Sequence, residues 1–296
     1  MTGRHEHRGA SPVPILMYHS ISDRAAPGFR KFVVSPAAFA EQMTYLARRD
    51  YSPLTVTQFV ASAGGAGEPL PERPVLLTFD DGFADFYSQA LPVLEGNGFT
   101  ATLYVCTAFV DGTSRWLQRE GEGERPMLTW EQLRDISALG VECGAHGHTH
   151  AALDAMSTRR ARQEILRPRE ILEDKLACRI SSFAYPFGYY TQAVRQIVRE
   201  CGYSSACAVR YGMSSTGDDP FALARMMVTH DTDINHFAGL LEGRRTPDLI
   251  VQRARATIWR LVRHAAYRGR VWVAMSDGAK PECELGERSE SATKGY

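Results

Sequence analysis

A chain of 296 residues in which 34 basic side chains balance 34 acidic ones has no net field to draw it onto nucleic acid or an anionic membrane, so neither is a partner unless a local cluster makes it one. Hydrophobic residues at 44% and charged residues at 23% exclude a largely disordered chain and require a packed core, and the length admits one barrel-sized α/β domain or two smaller ones. The cysteines at 106, 143, 178, 201, 207 and 283 form no CxxC pair, which excludes a zinc ribbon or a small disulfide scaffold.

The opening MTGRHEHRGASPVP holds no apolar stretch of signal-peptide length, and no run anywhere reaches the roughly 18 residues of a membrane span. The expectation is a soluble, cytoplasmic protein with a flexible stretch over 1–12. VPILMYH (13–19) is an apolar run suited to a buried strand, and Ser35 then caps a helix whose Phe39, Met43 and Leu46 recur at helical spacing. VLLTF (75–79), a helical segment from about Asp85 and TATLYV (100–105) follow, while the Gly-rich, polar residues 106–126 read as a long loop. In TWEQLRDISALG (129–140), Thr129 and Gln132 make a capping-box pattern and Gly140 a stop signal. VECGAH (141–146), a long charged helix from about Ser157, SSFAYP (181–186), a helix near 191–201, SSACAV (204–209) and RMMVTH (225–230) complete the alternation. Strand candidates that alternate with helices and loops in this way predict a closed or nearly closed β/α barrel, whose chemistry gathers at the C-terminal ends of its strands.

Beyond that alternation, a basic amphipathic helical segment is expected over 241–275, packed against the barrel, with contact to a membrane surface as the other use of such a helix. The polar stretch 276–296 is expected to be disordered.

VLLTFDDGF (75–83) ends a buried strand on two adjacent aspartates, which repel each other and resist desolvation. Successive side chains leave a strand on opposite sides, so Asp80 and Asp81 can do two different jobs while Gly82 lets the backbone turn. A cation would resolve the charge problem; a turn capping the next helix is the plainer use of such a triplet. GAHGHTH (144–150) supplies His146, His148 and His150 at another strand end. In a helical turn His146 and His150 converge and His148 points elsewhere; in an extended segment all three align. Two imidazoles and a carboxylate leave a coordination position open, as in a catalytic site.

TFDDG (78–82), HGHTH (146–150) and FAYPFG (183–188) together resemble the polysaccharide deacetylases of the NodB-homology type, carbohydrate esterase family four, over about residues 13–240. LMYHSI (16–21), FAYPFG and PFALARMMV (220–228) are similar to the branch in which the motifs are circularly permuted. The resemblance implies a distorted, incomplete (β/α) barrel of seven or eight strands. It makes Asp80 the general base, Asp81, His146 and His150 the ligands of a divalent cation, most simply Zn2+, and His19 the general acid; a strand-end histidine bonded to a carbonyl is the plain alternative for His19. It places the backbone N–H of Phe187 at the oxyanion, with Tyr18, Tyr185 and Pro186 on the substrate side. The implied reaction is metal-dependent hydrolysis of N-acetyl groups from an amino-sugar polysaccharide or glycoconjugate. A non-catalytic glycan-binding module, or a hydrolase of linear or cyclic amides, is the alternative on the same fold. Where many relatives carry an arginine, this chain has Ala184, and Arg225 is the candidate to replace it. His230 is a rival for the acid, and His148 matches a non-ligand position.

Overall fold

The computed structural model describes residues 12–244. The stretch 1–11, the basic segment beyond residue 244 and the tail over 276–296 lie outside the described residues, so the expectations placed on them are not met or refused here.

Ten strands and seven α-helices are described in chain order. Strand β1 (Ile15–Tyr18) is followed by a small parallel pair, β2 (Ser20–Ile21) and β3 (Val33–Val34). Helix α1 (Pro36–Arg48), β4 (Ser52–Leu54), α2 (Val56–Ala63), β5 (Pro74–Phe79) and α3 (Leu91–Gly96) come next. Then the chain alternates: β6 (Thr102–Val105), α4 (Trp130–Ala138), β7 (Glu142–Ala145), α5 (Thr158–Leu176), β8 (Ser182–Ala184), α6 (Gln192–Glu200), β9 (Ser205–Cys207), β10 (Met226–Met227) and α7 (Ile234–Leu241).

The main sheet runs β10–β1–β5–β6–β7–β8–β9 and every pairing in it is parallel. β4 pairs with Pro74–Leu76 at the start of β5, and β6 takes over at Thr78 and Phe79. A parallel sheet covered by its crossover helices is buried on both faces, which is why its strands read as continuous apolar runs; β1 is buried at every position. The sheet curls so far that Leu223 bridges Cys207 on β9 while Met226 and Met227, a few residues on, pair with β1. One short segment therefore spans the two edges, and the result is a distorted, incomplete barrel.

The caps read from the sequence are present: Ser35 accepts from the Ala38 N–H, and Thr129 and Gln132 form a reciprocal box. The segment after Asp85 is less regular than its spacing predicts. A π-helical turn over Phe86–Ala90 precedes α3, because Pro92 has no N–H to give the carbonyl four residues back. The loop 106–126 holds a 3-10 helix at Arg115–Glu120 and is tied to the N-terminal segment by Arg125. That guanidinium reaches Asp85 at 3.3 Å, the Ser20 hydroxyl at 3.0 Å and the Arg24 carbonyl at 2.7 Å. Among the described residues no helix is long and apolar enough to cross a membrane.

Candidate metal and catalytic site

The C-terminal ends of β5 and β7 supply the charged residues. After Phe79 the Asp80 N–H still donates to the Tyr18 carbonyl at 3.0 Å, continuing the ladder to β1. Then Asp81 (φ 78°) and Gly82 (φ 86°) both enter the left-handed region. For a non-glycine residue that conformation is strained, and such strain collects at functional sites.

Both carboxylates are 3% exposed, yet their surroundings differ. Arg225, with no exposed surface, grips Asp80 through two parallel bonds: Nη1 to Oδ1 at 2.6 Å and Nη2 to Oδ2 at 2.8 Å. The same guanidinium donates to the Thr78 hydroxyl at 3.2 Å and the Ala208 carbonyl at 3.4 Å. Burial pushes the Asp80 carboxyl up, but the Arg225 charge, His146 and the Arg225 hydrogen bonds outweigh it and hold it down to about 2. Asp81 goes the other way: burial, then the charge on Asp80, drives it well above the usual carboxylate range. Its Oδ1 is sealed from solvent without a hydrogen-bond partner among the described residues.

What faces that orphaned oxygen is a pair of imidazoles. His146 Nε2 lies 3.4 Å and His150 Nε2 3.3 Å from Asp81 Oδ1, and the three donor atoms fall within 4.8 Å of one another. The Nδ1–H of His146 donates to the Ala184 carbonyl at 2.9 Å, which fixes the tautomer that leaves Nε2 with a lone pair. Burial lowers both histidines, His150 well below the ordinary value, so both are in the neutral form that ligates a metal. A buried acceptor without a partner, beside two neutral imidazoles, fits a divalent cation. One carboxylate and two imidazoles whose donor atoms lie this close could hold a metal ion with a coordination position left open.

The segment 146–150 is neither of the conformations weighed from the sequence. It is a turn with Gly147 at φ 75° and His150 at φ 55°, and it brings His146 and His150 together while His148 turns away to the Thr107 hydroxyl at 2.9 Å. Glu164 on α5 holds the turn, accepting from the N–H of His148 at 3.0 Å and from the N–H and hydroxyl of Thr149, both at 2.8 Å. Nothing in its sequence context marks Glu164 for that task; it reads as one more charge on a charged helix.

His19 stands just past β1 with its ring centroid 5.0 Å from that of Phe32. Its Nδ1 is sealed from solvent with no hydrogen-bond partner among the described residues, so the carbonyl-bonded alternative is not what the structure shows at that nitrogen. Burial lowers its pKa to about 4, against the pull of Asp80 and with help from Arg225, His146 and Lys31. His230 is at the surface, where Arg30 donates to its Nε2 at 2.9 and 3.1 Å; the lone pair an acid–base group would use is engaged there.

The aromatic residues divide sharply. Tyr18 and Tyr185 have no exposed surface, and their hydroxyls donate to Gln42 Oε1 at 2.9 Å and the Phe221 carbonyl at 3.0 Å. Pro186 is buried as well. A role in substrate contact, expected from the resemblance, is not what this burial offers: these side chains pack the walls behind the site. Phe187 is 46% exposed, sits at φ 61° and lays its ring 4.6 Å from His150. Trp116, in the middle of the long loop, stacks on His150 from another direction with centroids 5.5 Å apart. A lone tryptophan in a polar loop carries no periodic signal, and sequence reasoning missed it.

Residues 67–206 match the family model for polysaccharide deacetylases. The chain carries a polysaccharide deacetylase domain. The matched span holds Asp80, Asp81, His146, His150 and Phe187 and leaves His19 and Arg225 outside it. Among curated proteins the chain is similar to YxkH of Bacillus subtilis, provisionally named a polysaccharide deacetylase: 25% identical over 233 residues, 79% of this chain and 77% of that one. It is also similar to the poly-beta-1,6-N-acetyl-D-glucosamine N-deacetylase of Escherichia coli K12, 23% identical over 254 residues, but spans only 37% of that enzyme's length. Among solved structures, BC0361, a polysaccharide deacetylase from Bacillus cereus, superposes with a TM-score of 0.66 at 25% identity, over 78% of this chain and 69% of the other.

Proposed function

We propose that the deacetylase domain is a metal-dependent N-deacetylase that removes acetyl groups from N-acetylated amino sugars in a polysaccharide or glycoconjugate. The observation that carries this reading is the division of labour between adjacent carboxylates: Asp80 held ionised by Arg225, and Asp81 with its Oδ1 lacking a hydrogen-bond partner among the described residues, beside two neutral imidazoles. The substrate class comes from the Escherichia coli relative, which by name deacetylates a β-1,6-linked N-acetylglucosamine polymer. Placement in the permuted branch belongs to the same reading, since His19 precedes TFDDG in this chain.

Asp81, His146 and His150 would hold the cation, with Zn2+ the expected ion. A divalent cation supplies Lewis acidity at an amide carbonyl and a lowered pKa for water. Asp80 then has one task, to accept the proton of the attacking water, and the Arg225 grip keeps both its oxygens aimed and its charge in place. A carboxylate held near 2 is a weak base, so Asp80 passes the proton on rather than keeping it. The nitrogen must receive a proton before it can leave. His19, neutral before reaction, gains affinity for that proton as negative charge develops beside it and delivers it to nitrogen. The backbone N–H of Phe187 is assigned to the developing oxyanion, a contribution of about 3–4 kcal/mol for one well-placed donor. Acetate and a free amine are the products.

The test is acetate release from β-1,6- and β-1,4-linked N-acetylglucosamine oligomers by the metal-loaded protein, with chelator and with Asp80→Asn as controls. Turnover that chelator abolishes and zinc restores, and that Asp80→Asn loses, supports the reading. Full activity in the mutant or in chelator removes it.

A further inference from the structure

The two imidazoles of the candidate cation site are held in different ways. His146 is fixed through its second nitrogen, which donates to the Ala184 carbonyl at 2.9 Å. His150 has no counterpart: its Nδ1 is sealed from solvent with no hydrogen-bond partner among the described residues. A ligating histidine usually gives its other N–H to an acceptor, and that bond sets the tautomer and the ring plane. His150 also sits at φ 55°, a strained backbone conformation for a non-glycine residue.

What surrounds the His150 ring is aromatic. Trp116 lies nearly parallel to it, 30° between planes and 5.5 Å between centroids. Phe187 meets it edge-on at 63° and 4.6 Å. Trp116 is itself clamped by Phe109 at 4.4 Å and Phe83 at 6.2 Å. Phe83 follows Gly82 in the turn that carries Asp81, so the indole joins the carboxylate turn to the histidine turn. The long loop 106–126 is nailed down by Arg125, which makes Trp116 a fixed wall.

We infer that Trp116 and Phe187 are positioning residues of the cation site, holding the His150 ring by packing where His146 is held by a hydrogen bond. The inference rests on the metal-dependent reading above and adds residues to it. Phe187 thereby acquires a side-chain task separate from that of its backbone N–H. Its left-handed backbone, strained for a phenylalanine, aims the ring at His150.

The experiment titrates the whole protein, stripped of metal, with Zn2+ by calorimetry and with Co2+ by its visible spectrum. The wild type should take up one ion. Phe187→Ala and Trp116→Ala should each weaken binding by roughly tenfold or more, the scale of losses at residues that orient a metal ligand. Trp116→Phe, which keeps a flat ring, should recover most of the loss. The Co2+ bands of the weakened variants should lose intensity as His150 lets go and water replaces it. Phe187 is 46% exposed, so its truncation leaves the fold intact, and thermal melting checks this. If Trp116→Ala does not fold, Phe187→Ala and Trp116→Phe decide. Zinc affinity within about twofold of wild type in both alanine variants, or in Phe187→Ala where the other fails to fold, overturns the inference and leaves the metal site standing. A wild-type protein that takes up neither ion overturns the reading beneath it as well.

Discussion

Arg225 and Asp80, 145 positions apart in sequence, meet through two parallel hydrogen bonds of 2.6 and 2.8 Å in a place with almost no solvent contact. A planar guanidinium matches a carboxylate in this way and an ammonium does not. With Ala184 unable to supply a cation, the guanidinium beside Asp80 comes from Arg225, just ahead of the β10 strand that pairs with β1. Removing one partner of a buried pair leaves the other charge stranded, at a cost of about 3–5 kcal/mol.

Arg225→Lys should therefore lower both stability and activity, and Arg225→Gln more so. The pH profile separates the two effects. With Arg225 gone, burial is unopposed and the Asp80 carboxyl rises from about 2, so the acid limb of kcat/KM moves to higher pH. An unchanged acid limb in a variant that still folds would deny Asp80 its role as base.

Asp80 and Asp81 titrate in opposite senses, which gives the cation a pH signature. Asp80 is depressed below 3.8, so its contribution to stability is complete above that value and is lost as pH falls through about 2. Asp81 is raised by burial and by Asp80; its contribution is complete below the ordinary carboxylate pKa and is lost as pH rises through its elevated one. The metal-free protein thus carries an unfavourable Asp81 charge at higher pH, and zinc removes that penalty. Zinc should raise the melting temperature more at about pH 7.5 than at about pH 5, where protons compete for the same oxygen. Equal shifts at the two pH values would mean that Asp81 is not a ligand.

Glu164 accepts three hydrogen bonds from His148 and Thr149 and so sets the turn on which His150 rides. Glu164→Ala should cost about 1–2 kcal/mol of stability, less than three buried bonds because Thr149 is exposed. Zinc affinity should fall with it, while Glu164→Gln, which keeps an acceptor, should recover part of both. Calorimetric titration of the two variants measures the difference.

The barrel was legible because its strands are buried on both faces and its helices carry caps that can be read one residue at a time, as at Ser35 and Thr129. Helix α2 was overlooked although Thr55 and Gln58 make the same reciprocal box, since a helix of this length offers only Val56 and Phe59 as buried residues and no repeating stripe. The short strands β2 and β3 have two residues each, too few for any period to show. At the site, Asp80, Asp81, His146 and His150 were visible as charged clusters ending apolar runs. Trp116 and Glu164 were not, because they reach the site through the fold of a loop and the pitch of a helix, and neither sits in a pattern. The burial of Tyr18 and Tyr185 was equally invisible: an aromatic next to a motif reads the same whether its ring faces the cleft or the core.

The approach of β6, β7 and β8 beneath the site leaves no room at Gly144, two residues before His146. A Cβ there would lie 2.6 Å from the Tyr104 ring and 2.7 Å from the Ser182 hydroxyl, closer than side-chain contacts tolerate. Neither neighbour can easily yield. Tyr104 is buried, with its hydroxyl 3.4 Å from Cys207 Sγ and its face 5.5 Å from the Arg225 guanidinium, and Ser182 donates to Glu142 at 2.6 Å. Gly144→Ala should then destabilise by about 1–3 kcal/mol, the usual cost of forcing an extra methyl into a packed core. Because the displaced ring supports Arg225, the loss should extend to activity, with the acid limb shifted in the same direction as in the Arg225 variants. Thermal unfolding and the pH profile of Gly144→Ala, alone and combined with Tyr104→Leu to open space, check the argument. Relief of the stability loss in the double variant is the expected outcome, and its absence would show that the clash lies elsewhere.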